Sequence, residues 1–193
     1  MNLDGPPILR AINSNVAQYV TVQIFAKALR PLAVEQLHPE LVHPGRPLSE
    51  TPAFPYSRPT LEASKTVFNL VACANQFEKG FAKFLEDAPD VSAFAKLPPQ
   101  FGFTIEYADA KNNLRYYEPD FVVVTTDGKR YLLETKGRED VDVACKDRAA
   151  ILWCENATRL TGDHWDYVKV PEKECKDLQP ASFADLLALV ERN

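Results

Sequence analysis

The spacing of hydrophobic positions changes several times along the chain, and each spacing predicts an element. In SNVAQYVTVQIFAKAL, Val16, Tyr19, Val20, Ile24 and Ala28 recur at helical intervals, with Ser14 placed as an N-cap. TVFNLVAC (residues 66–73) is rich in β-formers and predicts a strand. In NQFEKGFAKFLEDA (residues 75–88), Phe77, Phe81, Phe84, Leu85 and Ala88 fall on one face of an amphipathic helix. FGFTIEY (residues 101–107) alternates, with Phe101, Phe103, Ile105 and Tyr107 facing one way. FVVV and YLL then predict two strands that are apolar on both faces, as in a central, covered sheet. Residues 139–160 read as a helix with Ala149, Ala150, Leu152 and Trp153 on its buried side, and WDYVKV (residues 165–170) as a strand. ASFADLLALVER closes as a helix, with Ser182 and Asp185 at capping-box spacing.

Proline usage divides the chain. Nine of the fifteen prolines fall in the first 60 residues, and between Pro31 and Pro59 they interrupt any regular element. That stretch predicts an extended strap anchored by Phe54 and Tyr56. The expected organisation is an N-terminal helix and proline-rich strap over residues 1–60, then one α/β domain over 61–193. From residue 75 the order is helix, strand, strand, strand, helix, strand, helix. The sequence has no internal repeat, no G-x-x-x-x-G-K-[ST] phosphate loop and no G-x-S-x-G elbow.

Composition narrows the chemistry. At 46% hydrophobic and 25% charged residues, the chain reads as an ordinary soluble globular protein. It lacks the roughly 18 uninterrupted apolar residues of a membrane span, and its first residues do not resemble a signal peptide, so a cytoplasmic location without membrane partners is expected. The net charge of −5 argues against a broad basic surface that binds nucleic acid unaided. A metal-dependent nucleic-acid enzyme stays open, because clustered carboxylates hold an ion that brings the positive charge. Cys73, Cys145, Cys154 and Cys175, and His38, His43 and His164, have no ligand spacing and read as packed thiols and ordinary polar residues.

The unusual stretch is YYEPDFVVVTTDGKRYLLETKG, residues 116–137, where charges sit at the ends of apolar strands. Glu134 and Lys136 point to one face, with Thr135 opposite. A two-residue turn at Asp127-Gly128 would pair Asp120 with Thr135; a three-residue loop, Thr126-Asp127-Gly128 with a left-handed Gly128, pairs it with Glu134. The glycine position favours the second register, which places Asp120, Glu134 and Lys136 on one face. Two facing carboxylates repel unless a cation lies between them. Mg²⁺ would neutralise both, with the Thr135 backbone carbonyl as a further oxygen, and Lys136 would be left to hold or activate water. The plainer alternative is a turn-closing Asp120 and a solvent-facing Glu134–Lys136 pair.

The arrangement P-D-x(13)-E-T-K resembles the PD-(D/E)XK nuclease superfamily. FNLVACANQFEKGFAKFLEDAPDVSAFAKLP, RYYEPDFVVV, LLETKGRED and KDRAAILWC resemble more closely the C-terminal endonuclease domain of the restriction subunit of type III restriction enzymes. The resemblance covers most of residues 55–170. It implies a restriction-endonuclease-like core, a mixed central sheet flanked by helices, and a Mg²⁺-dependent DNA endonuclease, with Mn²⁺ as a possible substitute. It implies Asp120 and Glu134 as metal ligands, Lys136 as the catalytic lysine and Glu78 as an acid beside the metal. Asn75-x-x-Glu78 is also a capping box, so both readings of Glu78 stand. Lys146 is a candidate phosphate contact or a solvated lysine; Arg115, Lys129, Arg130 and Arg138 are either backbone contacts to DNA or isolated surface charges. Implied partners are DNA and a helicase and modification subunit or domain of a restriction complex. This chain carries no helicase motif of its own. The rival readings are a non-catalytic nuclease-like docking or DNA-binding module, and a nuclease acting on RNA or structured substrates.

Overall fold

The computed structural model describes residues 14–29, 32, 38–43, 45–136 and 143–191. The chain divides into two units, Met1–His38 with Ala108–Arg115, and Pro39–Tyr107 with Tyr116–Asn193. In the first unit, helix α1 (Asn15–Leu29) starts where Ser14 Oγ accepts the Ala17 N–H at 3.2 Å, and none of its residues is buried. In the 108–115 segment, Asp109 accepts hydrogen bonds from Lys111 N, Asn113 N and the Asn113 side chain. Those bonds, Asn113 first, hold the Asp109 carboxyl well below the usual carboxylate range.

The remaining elements follow in chain order. Strands β1 (Thr60–Leu61) and β2 (Val71–Ala72) pair antiparallel. Helix α2 (Gln76–Asp87) precedes β3 (Val91–Lys96). Then come β4 (Ile105–Ala108), β5 (Leu114–Tyr117), β6 (Phe121–Thr125) and β7 (Arg130–Lys136). Helix α3 (Val143–Thr161), β8 (Trp165–Pro171), α4 (Glu172–Leu178) and α5 (Phe183–Val190) complete the chain. The central sheet has the order β3-β6-β7-β8, and β4 pairs with β5 in a separate two-stranded sheet. β3, β6 and β7 run antiparallel, whereas β8 is parallel to β7 across the α3 crossover, so the sheet is mixed.

Both faces of β7 are packed, whereas β6 is buried on one face only, with Val122 and Val124 half-exposed on the other, against the expectation from its apolar sequence. On one face Phe121, Val123, Tyr131 and Leu133 pack with Phe81 and Leu85 of α2 and with Phe183 and Leu186 of α5. On the other, Leu132 packs with Tyr117 and with Ala150 and Cys154 of α3. Phe121 and Leu133 are wholly buried, and each such side chain contributes roughly 1.5–3 kcal/mol of hydrophobic stabilisation. Asn75 caps α2 by accepting the Glu78 N–H, and Ser182 and Asp185 form the expected capping box on α5.

The β6–β7 turn has the three-residue loop that the glycine position predicts. Gly128 is left-handed, with φ +85°, and the Thr125 N–H donates to the Lys129 carbonyl at 2.9 Å. The strands then pair Val124 with Arg130 through Phe121 with Leu133.

Several expectations are corrected. The first strand of the central sheet is VSAFAK, not FGFTIEY. The β3–β6 register shifts between Val91 and Ala93, so the buried positions Val91, Phe94 and Ala95 do not alternate, which hides the strand. In FGFTIEY, a 3-10 turn through Phe101 and a left-handed Gly102 break the alternation, and the strand begins only at Ile105. In TVFNLVAC only Val71 and Ala72 are strand. On α3, Leu152 is 41% exposed while Cys154 is buried. Helix α4 has no counterpart in the expected pattern. Residues 31, 33–37, 44 and 137–142, including Gly137, Arg138 and the start of the expected helix over 139–160, lie outside the described residues.

Candidate active site

The candidate residues gather where β3, β6 and β7 end. Pro119 leads into β6, and the Asp120 N–H donates to the Leu133 carbonyl at 3.1 Å. Leu133 is also the register partner of Phe121. Two residues thus oppose one, the count of a β-bulge. The register continues toward Asp120 opposite Glu134, and the Asp120 carboxylate meets two further neighbours.

Those neighbours are Thr135 and Lys96. Asp120 Oδ2 accepts the Thr135 N–H at 2.8 Å and its hydroxyl at 2.6 Å. Asp120 Oδ1 lies 2.5 Å from Lys96 Nζ, on the neighbouring strand. Lys96 Nζ also reaches Glu78 Oε2 of α2 at 3.5 Å and lies over the Phe121 ring. The lysine and Glu78 side chains are only 12% and 7% exposed. Burial works against the Lys96 charge, but Asp120 and then Glu78 outweigh it and hold the ammonium above its ordinary value.

Glu78 serves two purposes. Its Oε2 accepts the Ala74 N–H at 2.8 Å while Asn75 accepts the Glu78 N–H, so the side chain closes the start of α2. The same carboxylate faces Lys96. One residue therefore both closes the helix start and pairs with Lys96.

Glu134 lies near the end of β7, and its Oε2 accepts the Tyr117 hydroxyl at 2.8 Å. Its carboxyl is pushed up to about 7, by burial first and then by the charge of Asp120; Tyr117, Lys96 and Lys146 pull the other way. Glu134 thus lies within electrostatic reach of Asp120 and of Lys146 on α3. Tyr167, on β8, lies near Tyr117 and within electrostatic reach of Glu134. Tyr167 in turn donates to Asp147 Oδ1 at 2.9 Å, and Lys169 Nζ donates to Asp147 Oδ2 at 2.7 Å. Burial, and then the neighbouring acids Glu134 and Asp147, push the phenols of Tyr117 and Tyr167 up.

Lys136 ends β7, paired with Pro171 of β8, and its side chain lies outside the described residues. Three of the basic residues weighed as DNA contacts have local partners. Arg115 pairs with Asp109, Lys129 with Asp127, and Arg130 with Asp163. Cys73 and Cys154 are buried, and burial pushes their thiols up to about 11 and about 12, as packed, unreactive thiols require.

Sequence reasoning missed Lys96, the bond of Tyr117 to Glu134, and the bonds of Tyr167 and Lys169 to Asp147. Lys96 did leave a signal: it closes an apolar run just before Leu97-Pro98-Pro99, a charge at a strand end like those of Asp120 and Glu134. Tyr117 and Tyr167 left none, because buried tyrosines are ordinary core residues and their partners are distant in sequence.

The donor set suits a hard divalent cation. Two carboxylates are held close enough for one to raise the other, and such a pair is relieved by a positive ion. Among the described residues no three His, Cys, Asp or Glu side chains converge as a ready cage. Two carboxylates completed by carbonyl, water and substrate oxygens is the mode that Mg²⁺ favours.

Residues 64–157 match a family model described as an endonuclease domain. The matched span runs from before α2 to within α3 and contains Glu78, Lys96, Tyr117, Asp120, Glu134, Lys136 and Lys146. Together with the mixed sheet flanked by helices, the match supports a restriction-endonuclease-like domain. No curated protein and no solved structure matches the chain. No helix among the described residues is long and apolar enough to cross a membrane.

Proposed function

We propose that the chain is a Mg²⁺-dependent DNA endonuclease domain of the kind found in type III restriction enzymes, with Mn²⁺ as a substitute ion. The endonuclease-domain match supports nuclease activity. What supports the metal dependence is the placement of two carboxylates at adjoining strand ends, Asp120 just before β6 and Glu134 near the end of β7, with burial and then the Asp120 charge pushing the Glu134 carboxyl up to about 7. Asp120 and Glu134 would hold the ion, with the Thr135 carbonyl as a further oxygen. When bound, the ion polarises the phosphoryl oxygen and lowers the pKa of water. Thr135 fixes Asp120 Oδ2 through two hydrogen bonds, which leaves Oδ1, now on Lys96, as the atom to exchange ammonium for metal. Lys136, two positions beyond Glu134, is the candidate cation for the attacking water, and Lys146 for a phosphate oxygen. Glu78 is a candidate third acid. In this reading the domain works in the cytoplasm, as part of or partner to an ATP-dependent helicase and a modification subunit.

One observation favours a second reading. Lys96 already neutralises Asp120 and Glu78, as in a self-satisfied ion cluster of a non-catalytic, DNA-binding or docking module. A cleavage assay separates the two. Supercoiled and linear DNA are incubated with Mg²⁺, Mn²⁺ or EDTA, using the wild type, Asp120→Ala and Lys136→Ala. The nuclease reading expects nicking or cutting by the wild type with metal and loss of it in both variants. Metal-dependent cutting retained by Asp120→Ala, or none by the wild type, removes the assignment.

A further inference from the structure

The Glu134 carboxylate is held by a tyrosine hydroxyl that the nuclease reading does not itself require. Tyr117 is 5% exposed, at the end of β5, and donates its hydroxyl to Glu134 Oε2 at 2.8 Å. Tyr167 on β8 stands behind it, and Asp147 on α3 receives both the Tyr167 hydroxyl and the Lys169 ammonium. Lys169 is the direct neighbour of Glu134 in the parallel β7–β8 pairing. A lysine beside a carboxylate on adjacent strands would ordinarily pair with it. Here Asp147 draws the ammonium away, and a neutral phenol takes its place against Glu134. A neutral donor fixes one carboxylate oxygen without cancelling the charge, and leaves Oε1 to face a cation. A lysine in that position would fix the oxygen and oppose the cation.

We propose that Tyr117 is a positioning residue that presents Glu134 to a divalent ion, while Asp147 keeps the neighbouring Lys169 ammonium away from Glu134. The proposal rests on the reading of Glu134 as a metal ligand. Hydrogen-bond partners behind a metal-ligating group orient it, and their loss typically weakens metal affinity 10–100-fold. The packing of Tyr117 beside Leu132, Ala150 and Cys154 gives its ring a separate structural role. The substitution to Phe keeps that packing and removes the hydroxyl alone.

The test is a calorimetric titration of Mn²⁺ alone into the full chain, well below the melting temperature of each variant. The variants are Tyr117→Phe, Tyr167→Phe, Asp120→Ala, Glu134→Gln and the double variant Tyr117→Phe/Glu134→Gln. Tyr117→Phe is expected to weaken Mn²⁺ binding about tenfold, and Tyr167→Phe, whose hydroxyl bonds Asp147 rather than Glu134, by less than twofold. In the Glu134→Gln background, Tyr117→Phe should add less than a twofold change, since its effect passes through Glu134. A merely structural tyrosine would weaken binding equally in both backgrounds, and that result overturns the proposal. Wild-type-like affinity in Tyr117→Phe, with binding lost in Asp120→Ala, also overturns it and leaves the metal site standing. No Mn²⁺ binding by the wild type overturns both.

Discussion

Lys96 Nζ lies 2.5 Å from Asp120 Oδ1, across the neighbouring strands β3 and β6. A cation is therefore already present beside the acid expected to hold metal. Replacing it with Met leaves Asp120 and the 5%-exposed Glu78 without their counter-charge. Removing one partner of a buried pair costs about 3–5 kcal/mol. Urea denaturation of Lys96→Met in EDTA should show a loss of about 3 kcal/mol. Saturating Mn²⁺ should restore much of it, because an ion at a hundredfold its Kd adds about 2.7 kcal/mol. An unchanged denaturation midpoint in EDTA would mean that the pair contributes nothing.

Glu78 both closes the start of α2 and faces Lys96, and two substitutions separate these tasks. Glu78→Gln keeps an acceptor for the Ala74 N–H and removes the charge. It should change stability by less than about 1 kcal/mol. Its metal-dependent DNA cleavage should fall at least about tenfold, the scale of one lost charged contact of roughly 1.4 kcal/mol. Glu78→Ala removes both and should cost about 1–2 kcal/mol as well. Wild-type cleavage by Glu78→Gln would reduce the residue to a cap.

The raised Glu134 carboxyl makes stability depend on pH. Its folded value of about 7 lies above the ordinary 4.5, so between those values the folded chain holds a proton that the unfolded chain has released. Stability is then fullest below 4.5 and declines as pH rises through about 7. The half-buried position limits the effect to on the order of 2 kcal/mol. Melting temperatures in EDTA from pH 5 to pH 8 should fall for the wild type and lose that component in Glu134→Gln. With Mn²⁺ present the decline should flatten, since the ion favours the ionised carboxylate. A rise in melting temperature over this range, absent in the glutamine variant, would reverse the sign and contradict the burial.

Gly128 sets the register that brings β6 and β7 together at the site. A Cβ there would meet nothing within 4 Å, so an alanine would suffer only from the +85° φ. Gly128→Ala should cost about 1–2 kcal/mol in equilibrium unfolding, and Gly128→Asn, better suited to left-handed backbone, clearly less. Equal losses for both would point to something other than φ.

Much of this architecture could be read from the residues. The hairpin register followed from one glycine, and the central position of FVVV and YLL from their lack of a polar face. The amphipathic helix over residues 75–88 followed from its phenylalanines. What could not be read lies where local rules give way to distant contacts. VSAFAK hides its strand character behind a shifted register, and Lys96 with it. The bulge at Asp120 turns on a backbone bond to Leu133 that no spacing reveals. Tyr117 reaches Glu134 across 17 residues, and Tyr167 reaches Asp147 across 20, so no local pattern marks either pair.

The parallel pairing of β7 with β8 has a consequence for where this domain ends. The family match stops at residue 157, inside α3, whereas β8 spans Trp165–Pro171. A polypeptide trimmed to the matched residues would lose the strand that covers one side of β7, and an apolar strand would become an open edge prone to pairing with another chain. It would also lose Tyr167 and Lys169. The smallest self-sufficient unit is therefore longer than the stretch by which it is recognised, and its boundary is set by a sheet edge.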